Sequence, residues 1–96
     1  MSRAAMDWPA ELSHWRGRFA ELRIEDRAGE DPVAPPKVVM LHRIAYSEDR
    51  ESLLFYMNEQ QFLSVPVREA GGVMLHGKVF ESTDADAQLV YKITLI

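Results

Sequence analysis

The longest regular pattern of hydrophobic positions lies near the start of the chain. Apolar or aromatic side chains recur there at intervals of four, three, four and three residues, at Trp8, Leu12, Trp15, Phe19 and Leu22. Such intervals place side chains on one face of an α-helix. Asp7 suits the position that caps a helix, and Pro9 suits its first turn. The pattern therefore predicts an amphipathic helix over residues 8–24.

Gly17 falls inside this predicted helix, where a glycine costs about 1 kcal/mol relative to alanine. An alternative interpretation makes residues 18–24 a strand, because Ala20, Leu22 and Ile24 alternate with other side chains and would share one side. The five matched helical positions favour the helix, and the strand remains the alternative.

From residue 37 onward the pattern changes to short apolar and β-branched runs separated by polar connections. These runs cover residues 37–46, 53–57, 61–67, 73–80 and 88–96. Runs of this length and composition predict strands. Pro66 has no N–H to donate, so its strand is expected to lie at a sheet edge or to end there.

These patterns divide the chain into four parts. Residues 1–6 are expected to be a tail, 8–24 a helix, 25–36 a loop and 37–96 a sheet. The loop prediction rests on charged residues, a glycine and a proline pair. The predicted fold is thus one α+β domain, mostly β: an N-terminal amphipathic helix followed by an antiparallel five-stranded meander or small barrel.

A four-residue sequence, Val-Met-Leu-His, occurs twice, at residues 39–42 and 73–76. An aromatic residue follows each copy four positions after the histidine, Tyr46 in the first and Phe80 in the second. An acidic loop and an apolar run then follow both. The repetition predicts two similar hairpins, at residues 38–57 and 73–93, with coincidence as the alternative.

Both repeated strands carry apolar side chains on both faces, which requires cover on each side. The predicted helix can cover one face only. Closure into a barrel or a second subunit would cover the other. We therefore expect the partner to be another protein or a second copy, as in a homodimer.

Composition narrows the setting of the protein. The chain has 96 residues, 47% of them hydrophobic and 27% charged, as in one small globular domain. It lacks cysteine, which excludes disulfides and thiolate metal sites and favours a reducing, cytoplasmic location. No stretch approaches the roughly 20 apolar residues that cross a bilayer, so no membrane association is expected.

The net charge is −4 and there is no basic run, so nucleic acid is not expected as a partner. The acidic balance favours a partner with a basic surface over an acidic one.

Few residues suggest chemistry. His42 and His76 occupy equivalent places in the repeat and would lie side by side if their strands paired. However, the three histidines of the chain show no metal-binding spacing, and neither a nucleophile elbow nor a phosphate-binding glycine motif occurs. We therefore predict no catalytic residue, no metal and no cofactor.

The sequence favours a small, acidic, non-catalytic protein-interaction module, such as an inhibitor, adaptor, immunity-type factor or accessory subunit. It would act through an apolar sheet face and acidic loops. The candidate binding residues are Trp8, Trp15, His42, Tyr46, His76 and Phe80. The alternative is a small-ligand binder or minor enzyme, with a pocket between helix and sheet lined by Trp8, Trp15, Tyr56 and Tyr91.

Overall fold

The computed structural model describes residues 7–27, 32–67 and 72–96. Within these ranges the chain forms one short α-helix, a 3-10 turn at Ser13–Trp15 and eight β-strands. The helix α1 spans Trp8–Glu11, and the strands are β1 Phe19–Asp26, β2 Pro32–Met40, β3 Arg43–Tyr46, β4 Ser52–Tyr56, β5 Phe62–Pro66, β6 Val73–His76, β7 Val79–Asp84 and β8 Leu89–Leu95. The predicted class, mostly antiparallel β with a helix before the strands, is confirmed.

The strands form two sheets rather than the predicted five-stranded meander or barrel. A five-stranded sheet has the order β2-β1-β8-β7-β6, and a three-stranded sheet has the order β3-β4-β5. Neither closes on itself over the described strands. Two predicted runs are each divided in two, at Leu41–His42 and at Gly77–Lys78. Gly77 has a positive φ of 61°, which suits the first position of a two-residue hairpin turn.

The predicted helix over residues 8–24 is correct only at its start. The carboxylate of Asp7 accepts a hydrogen bond from the Ala10 N–H at 3.3 Å, and Pro9 lies in the first turn, as expected. The helix ends at Glu11, and residues from Phe19 form β1. The alternative interpretation of residues 18–24 as a strand is therefore the correct one.

A turn centred on Gly17 is the physical reason for this change. Arg16 has φ −62° and ψ 136°, Gly17 has φ 77°, and the Arg18 N–H donates to the Trp15 carbonyl at 3.1 Å. These values define a type II turn, in which the third position needs a positive φ.

Gly17 also begins the pairing of β1 with β2. Its N–H donates to the Leu41 carbonyl at 2.7 Å, while the Leu41 N–H donates to the Arg18 carbonyl at 2.9 Å. Two residues thus face one, which is the G1 β-bulge with glycine at its first position. A residue that weakens a helix is here required by a turn and a bulge.

The predicted loop over residues 25–36 is longer than the connection between β1 and β2 in the structure. Glu25 and Asp26 belong to β1, and residues 32–36 belong to β2. β2 is an edge strand, and its pairing with β1 shifts register between Lys37 and Ala34, so Pro35 and Pro36 fall where the ladder is interrupted. Residues 28–31 and the predicted tail at 1–6 lie outside the described residues. Pro66 ends β5, an edge strand, as predicted.

The core lies between the two sheets and beneath the N-terminal segment. Its buried hydrophobic residues are Leu12, Trp15, Ala20, Leu22, Leu41, Ile44, Leu53, Phe55, Val65, Phe80, Ile93 and Leu95. The rings of Phe55 and Phe80 join the sheets at a centroid distance of 5.5 Å. The buried hydroxyl of Ser82 on β7 donates to the Pro66 carbonyl at the end of β5.

The two predicted hairpins exist in part. β3 pairs with β4, and β7 pairs with β8, each across an acidic loop. Their registers differ, because Tyr46 pairs with Leu53 whereas its counterpart Phe80 pairs with Ile93. The sequence repeat therefore does not correspond to one hairpin used twice.

Candidate functional site

Three of the predicted binding residues come together, but mainly within the core. The rings of Trp8 and Phe80 meet edge to face at 5.2 Å, and the Trp8 backbone N–H donates to the Tyr46 hydroxyl at 3.3 Å. Phe80 and Trp15 are fully buried, whereas Trp8 and Tyr46 are half-buried. These aromatic side chains hold the N-terminal segment against the sheets, so they stabilise the fold.

The two histidines of the repeat do not meet. His42 follows β2 and His76 ends β6, and these strands are the opposite edges of the five-stranded sheet. Both histidines are exposed. In the part of the chain that the structure describes, no three His, Asp or Glu residues gather where they could hold a metal ion.

The residues named for a small-ligand pocket also separate. Tyr56 lies on the outward face of the three-stranded sheet, where the Arg43 guanidinium stacks 4.2 Å above its ring and Phe62 packs at 5.2 Å. Trp15 is buried on the core side. These two aromatic side chains therefore cannot line one cavity.

A different set of side chains is exposed on the five-stranded sheet. Along β1 the side chains of Ala20 and Leu22 are buried and face the core. Because side chains alternate along a strand, Phe19, which precedes Ala20, faces outward. Phe19 pairs with Met40 on β2, and the Ile96 N–H donates to the Phe19 carbonyl at 3.0 Å. Val38 shares this outer face with Met40.

These four side chains form what we call the apolar patch: Phe19, Val38, Met40 and Ile96, with exposed fractions of 57%, 55%, 47% and 64%. They lie on neighbouring strands at one end of the outer face. Contiguous exposed apolar side chains of this kind mark interaction surfaces more often than scattered ones do.

The centre of the same face is charged. Arg23 lies 3.8 Å from Glu21 and 3.6 Å from Glu25, and Lys92 lies 3.7 Å from Glu25 and 3.6 Å from Glu81. We call these five side chains the charged ladder. The cations Arg23 and Lys92 face each other across β1 and β8, and the three carboxylates flank them. Charged side chains of this kind are readily solvated, and Met74 on β6 is exposed singly on the same face. Among the described residues, the contiguous exposed apolar side chains of this face are therefore those of the apolar patch.

The chain segments at the same end of the two sheets as the apolar patch are basic. We call them the cationic end: residues 12–18, 41–43, 57–61 and 77–78, which carry Arg16, Arg18, Arg43 and Lys78 against the single carboxylate of Glu59. Backbone hydrogen bonds join these segments: the Leu41 N–H donates to the Arg18 carbonyl, and the His42 N–H donates to the Tyr56 carbonyl. The Lys78 carbonyl accepts from the Leu95 N–H, next to Ile96.

The opposite ends of the strands are acidic. The acidic end comprises residues 26–27, 47–51 and 84–88, with Asp26, Glu48, Asp49, Glu51, Asp84 and Asp86 against Arg27 and Arg50. The Val67 N–H donates to the Glu51 carbonyl, which links the loop before β4 to the end of β5 and so to Ser82 on β7. The Arg27 N–H donates to the Gln88 carbonyl.

Hydrogen bonds within the first acidic loop favour the ionised form of Asp49. The Ser47 hydroxyl donates to the Asp49 carboxylate at 2.6 Å, and the Glu51 N–H donates to it at 2.9 Å. Both lower the pKa of Asp49, the hydroxyl most. On the core side of β8, burial and then the nearby Asp84 carboxylate raise the pKa of Tyr91.

Two features expected to act together therefore lie apart: the apolar patch adjoins the cationic end, and the acidic loops form the other end. None of the four patch residues was predicted as a binding residue. In the sequence, Phe19 matches the helical spacing, and Met40 is one of several apolar strand positions. Their joint exposure depends on the pairing of β1 with β2, which no short motif encodes.

No family model matches the chain, and no curated protein or solved structure matches it. Across residues 7–27, 32–67 and 72–96, no helix has the length and apolar character that crossing a bilayer requires.

Proposed function

We propose that this protein is a protein-interaction module that binds its partner through the apolar patch and the adjoining cationic end. The observation that carries the proposal is that four exposed apolar side chains adjoin one another. Phe19 lies between Met40 and Ile96 across the sheet, and Val38 lies next to Met40 on the same face. Binding surfaces commonly combine an apolar centre with a polar rim. An inhibitor, adaptor, immunity-type factor or accessory subunit would each use such a surface.

Charge indicates the chemistry of the partner. Arg18 directly precedes Phe19, and Lys78 lies in the turn beside Ile96, so cations border the patch. A partner with apolar side chains among carboxylates would be complementary in both respects. This local charge argues for an acidic partner, although the net charge of −4 alone favours a basic one.

The repeat supplies a matched pair of variants for the test. Met40 and Met74 have the same neighbours in sequence, both lie on edge strands and face outward, and they are 47% and 57% exposed. Only Met40 belongs to the apolar patch. Met40→Glu places a carboxylate within the proposed interface, whereas Met74→Glu places one on the opposite edge.

In the experiment, the wild type, Met40→Glu and Met74→Glu are each immobilised and used to capture binding proteins. Any protein captured selectively is then purified, and its affinity for each of the three is measured by titration. We expect a partner whose affinity falls about tenfold or more with Met40→Glu and is unchanged with Met74→Glu. Equal binding by all three proteins would show that the patch is not the binding surface. Met40→Glu should keep the stability of the wild type within about 0.5 kcal/mol, because the site is exposed. Met74→Glu should lose up to about 1 kcal/mol, because Met74 pairs with Glu81 across β6 and β7.

A further inference from the structure

We infer that the acidic partner of the cationic end is the acidic end of a second copy, so that copies of the protein associate head to tail. The inference rests on the proposed function, since it names an occupant for the same surface. The supporting observation is that basic and acidic side chains collect at opposite ends of one chain, so the cationic end of one copy complements the acidic end of another.

The two ends act as separate charged surfaces. The cationic end has four basic side chains against one carboxylate, and the acidic end has six carboxylates against two basic side chains. β1, with eight residues, spans about 23 Å between them. This distance exceeds the Debye length of about 8 Å at physiological ionic strength, so the charges at one end do not cancel those at the other.

The same charges disfavour the symmetric arrangement. A two-fold dimer through the cationic ends would bring Arg16, Arg18 and Lys78 towards the basic side chains of the second copy, and one through the acidic ends would bring carboxylates together. A head-to-tail contact sets a mainly basic surface against a mainly acidic one. Contacts of this heterologous kind leave one end of each chain free, so association continues beyond the dimer unless a ring closes.

The first measurement is sedimentation velocity of the wild type over a concentration series at low and high salt. We expect the average sedimentation coefficient to rise steadily with concentration in about 20 mM salt and to return to the monomer value in about 500 mM salt. Growth that stops at a dimer in both salts would overturn the inference, because it indicates a symmetric apolar contact.

Two charge-reversal variants test the pairing of the ends directly. Arg16→Glu with Lys78→Glu reverses the cationic end, and Glu48→Lys with Asp86→Lys reverses the acidic end, all at exposed positions. Each variant alone should associate about tenfold more weakly than the wild type. An equimolar mixture should associate again, because the native acidic end of the first can bind the native cationic end of the second.

Ser64→Lys is the control, since it changes the net charge at an exposed position in the middle of β5, between the two ends. It should associate like the wild type. A mixture that stays monomeric, or a wild type that is monomeric at every concentration and salt, would overturn head-to-tail association. The proposed function would survive that result if a partner protein still distinguished Met40→Glu from Met74→Glu.

Discussion

At the scale of single residues, Gly17 decides where the helical start of the chain gives way to the sheet. It occupies the third position of a type II turn and the first position of the bulge opposite Leu41. Apart from Gly17 itself and its two neighbours in the chain, no atom lies within 4 Å of the place where a Cβ would stand. The requirement at this position is therefore for a positive φ and not for space.

This distinction predicts the effect of substitution. Gly17→Ala should lower the free energy of unfolding by about 1 kcal/mol or slightly more, because alanine disfavours the left-handed region. Gly17→Asn should cost clearly less, since asparagine tolerates a positive φ. Urea denaturation of the three proteins measures both effects. If alanine cost no more than asparagine, the left-handed conformation would not be the reason for glycine here.

At the scale of elements, the sequence predicted side chains better than boundaries. Trp8, Leu12 and Trp15 follow the helical spacing and are half-buried or buried, because α1 and the 3-10 turn keep that periodicity for two turns. Leu22 is buried but belongs to a strand, and Phe19 is 57% exposed. Over few residues, the intervals of a helix and of a strand overlap, and Gly17 was the local signal that separated them.

The candidate site could not be predicted in the same way. Most strands in the second half of the chain were recognisable from composition, and Pro66 marked an edge. The apolar patch, however, is assembled by the pairing of β1 with β2 and by the end of β8. These contacts join residues up to 77 positions apart, from Phe19 to Ile96. Their register depends on the whole sheet, so no local pattern places these side chains together.

The charged ladder is an element-scale feature that can be tested through Lys92, which bridges Glu25 on β1 and Glu81 on β7. Lys92→Gln leaves these two carboxylates without that shared cation. We expect the free energy of unfolding to fall by about 0.5–1 kcal/mol at low salt, and by less as salt is added. Denaturation at two salt concentrations measures this difference.

Lys78→Gln is the matched control for the ladder, because Lys78 lies in the turn between β6 and β7 and away from the charged ladder. It should change stability less than Lys92→Gln at low salt. An equal loss from both variants, independent of salt, would mean that the ladder contributes nothing beyond the removal of a lysine.

At the scale of the whole molecule, Phe80 joins the three structural parts. Its ring, fully buried, contacts Phe55 of the three-stranded sheet and Trp8 of the N-terminal segment, while its strand belongs to the five-stranded sheet. Trp8 and Phe80, both predicted as binding residues, thus connect the N-terminal segment and the two sheets. The surface proposed for a partner combines Phe19 with three aliphatic side chains, none of them among the residues predicted for binding.

Phe80→Leu should therefore lower the free energy of unfolding by about 1–2 kcal/mol through imperfect packing. Phe62→Leu, at an aromatic position 47% exposed on the three-stranded sheet, should cost under about 0.5 kcal/mol. Thermal and urea unfolding of the two variants compare them directly. A larger loss at Phe62 would show that the aromatic contacts of the core are not the dominant ones.

The prolines of β2 have a consequence for aggregation. The Leu41 N–H points to β1, so by the alternation of an antiparallel ladder the amides of Met40 and Val38 point away from the sheet. The next outward position is Pro36, which has no N–H. A strand from a misfolded neighbour would find only two donors over residues 36–40. The protein can thus expose an apolar edge beside its binding surface while giving fibril growth only a short template.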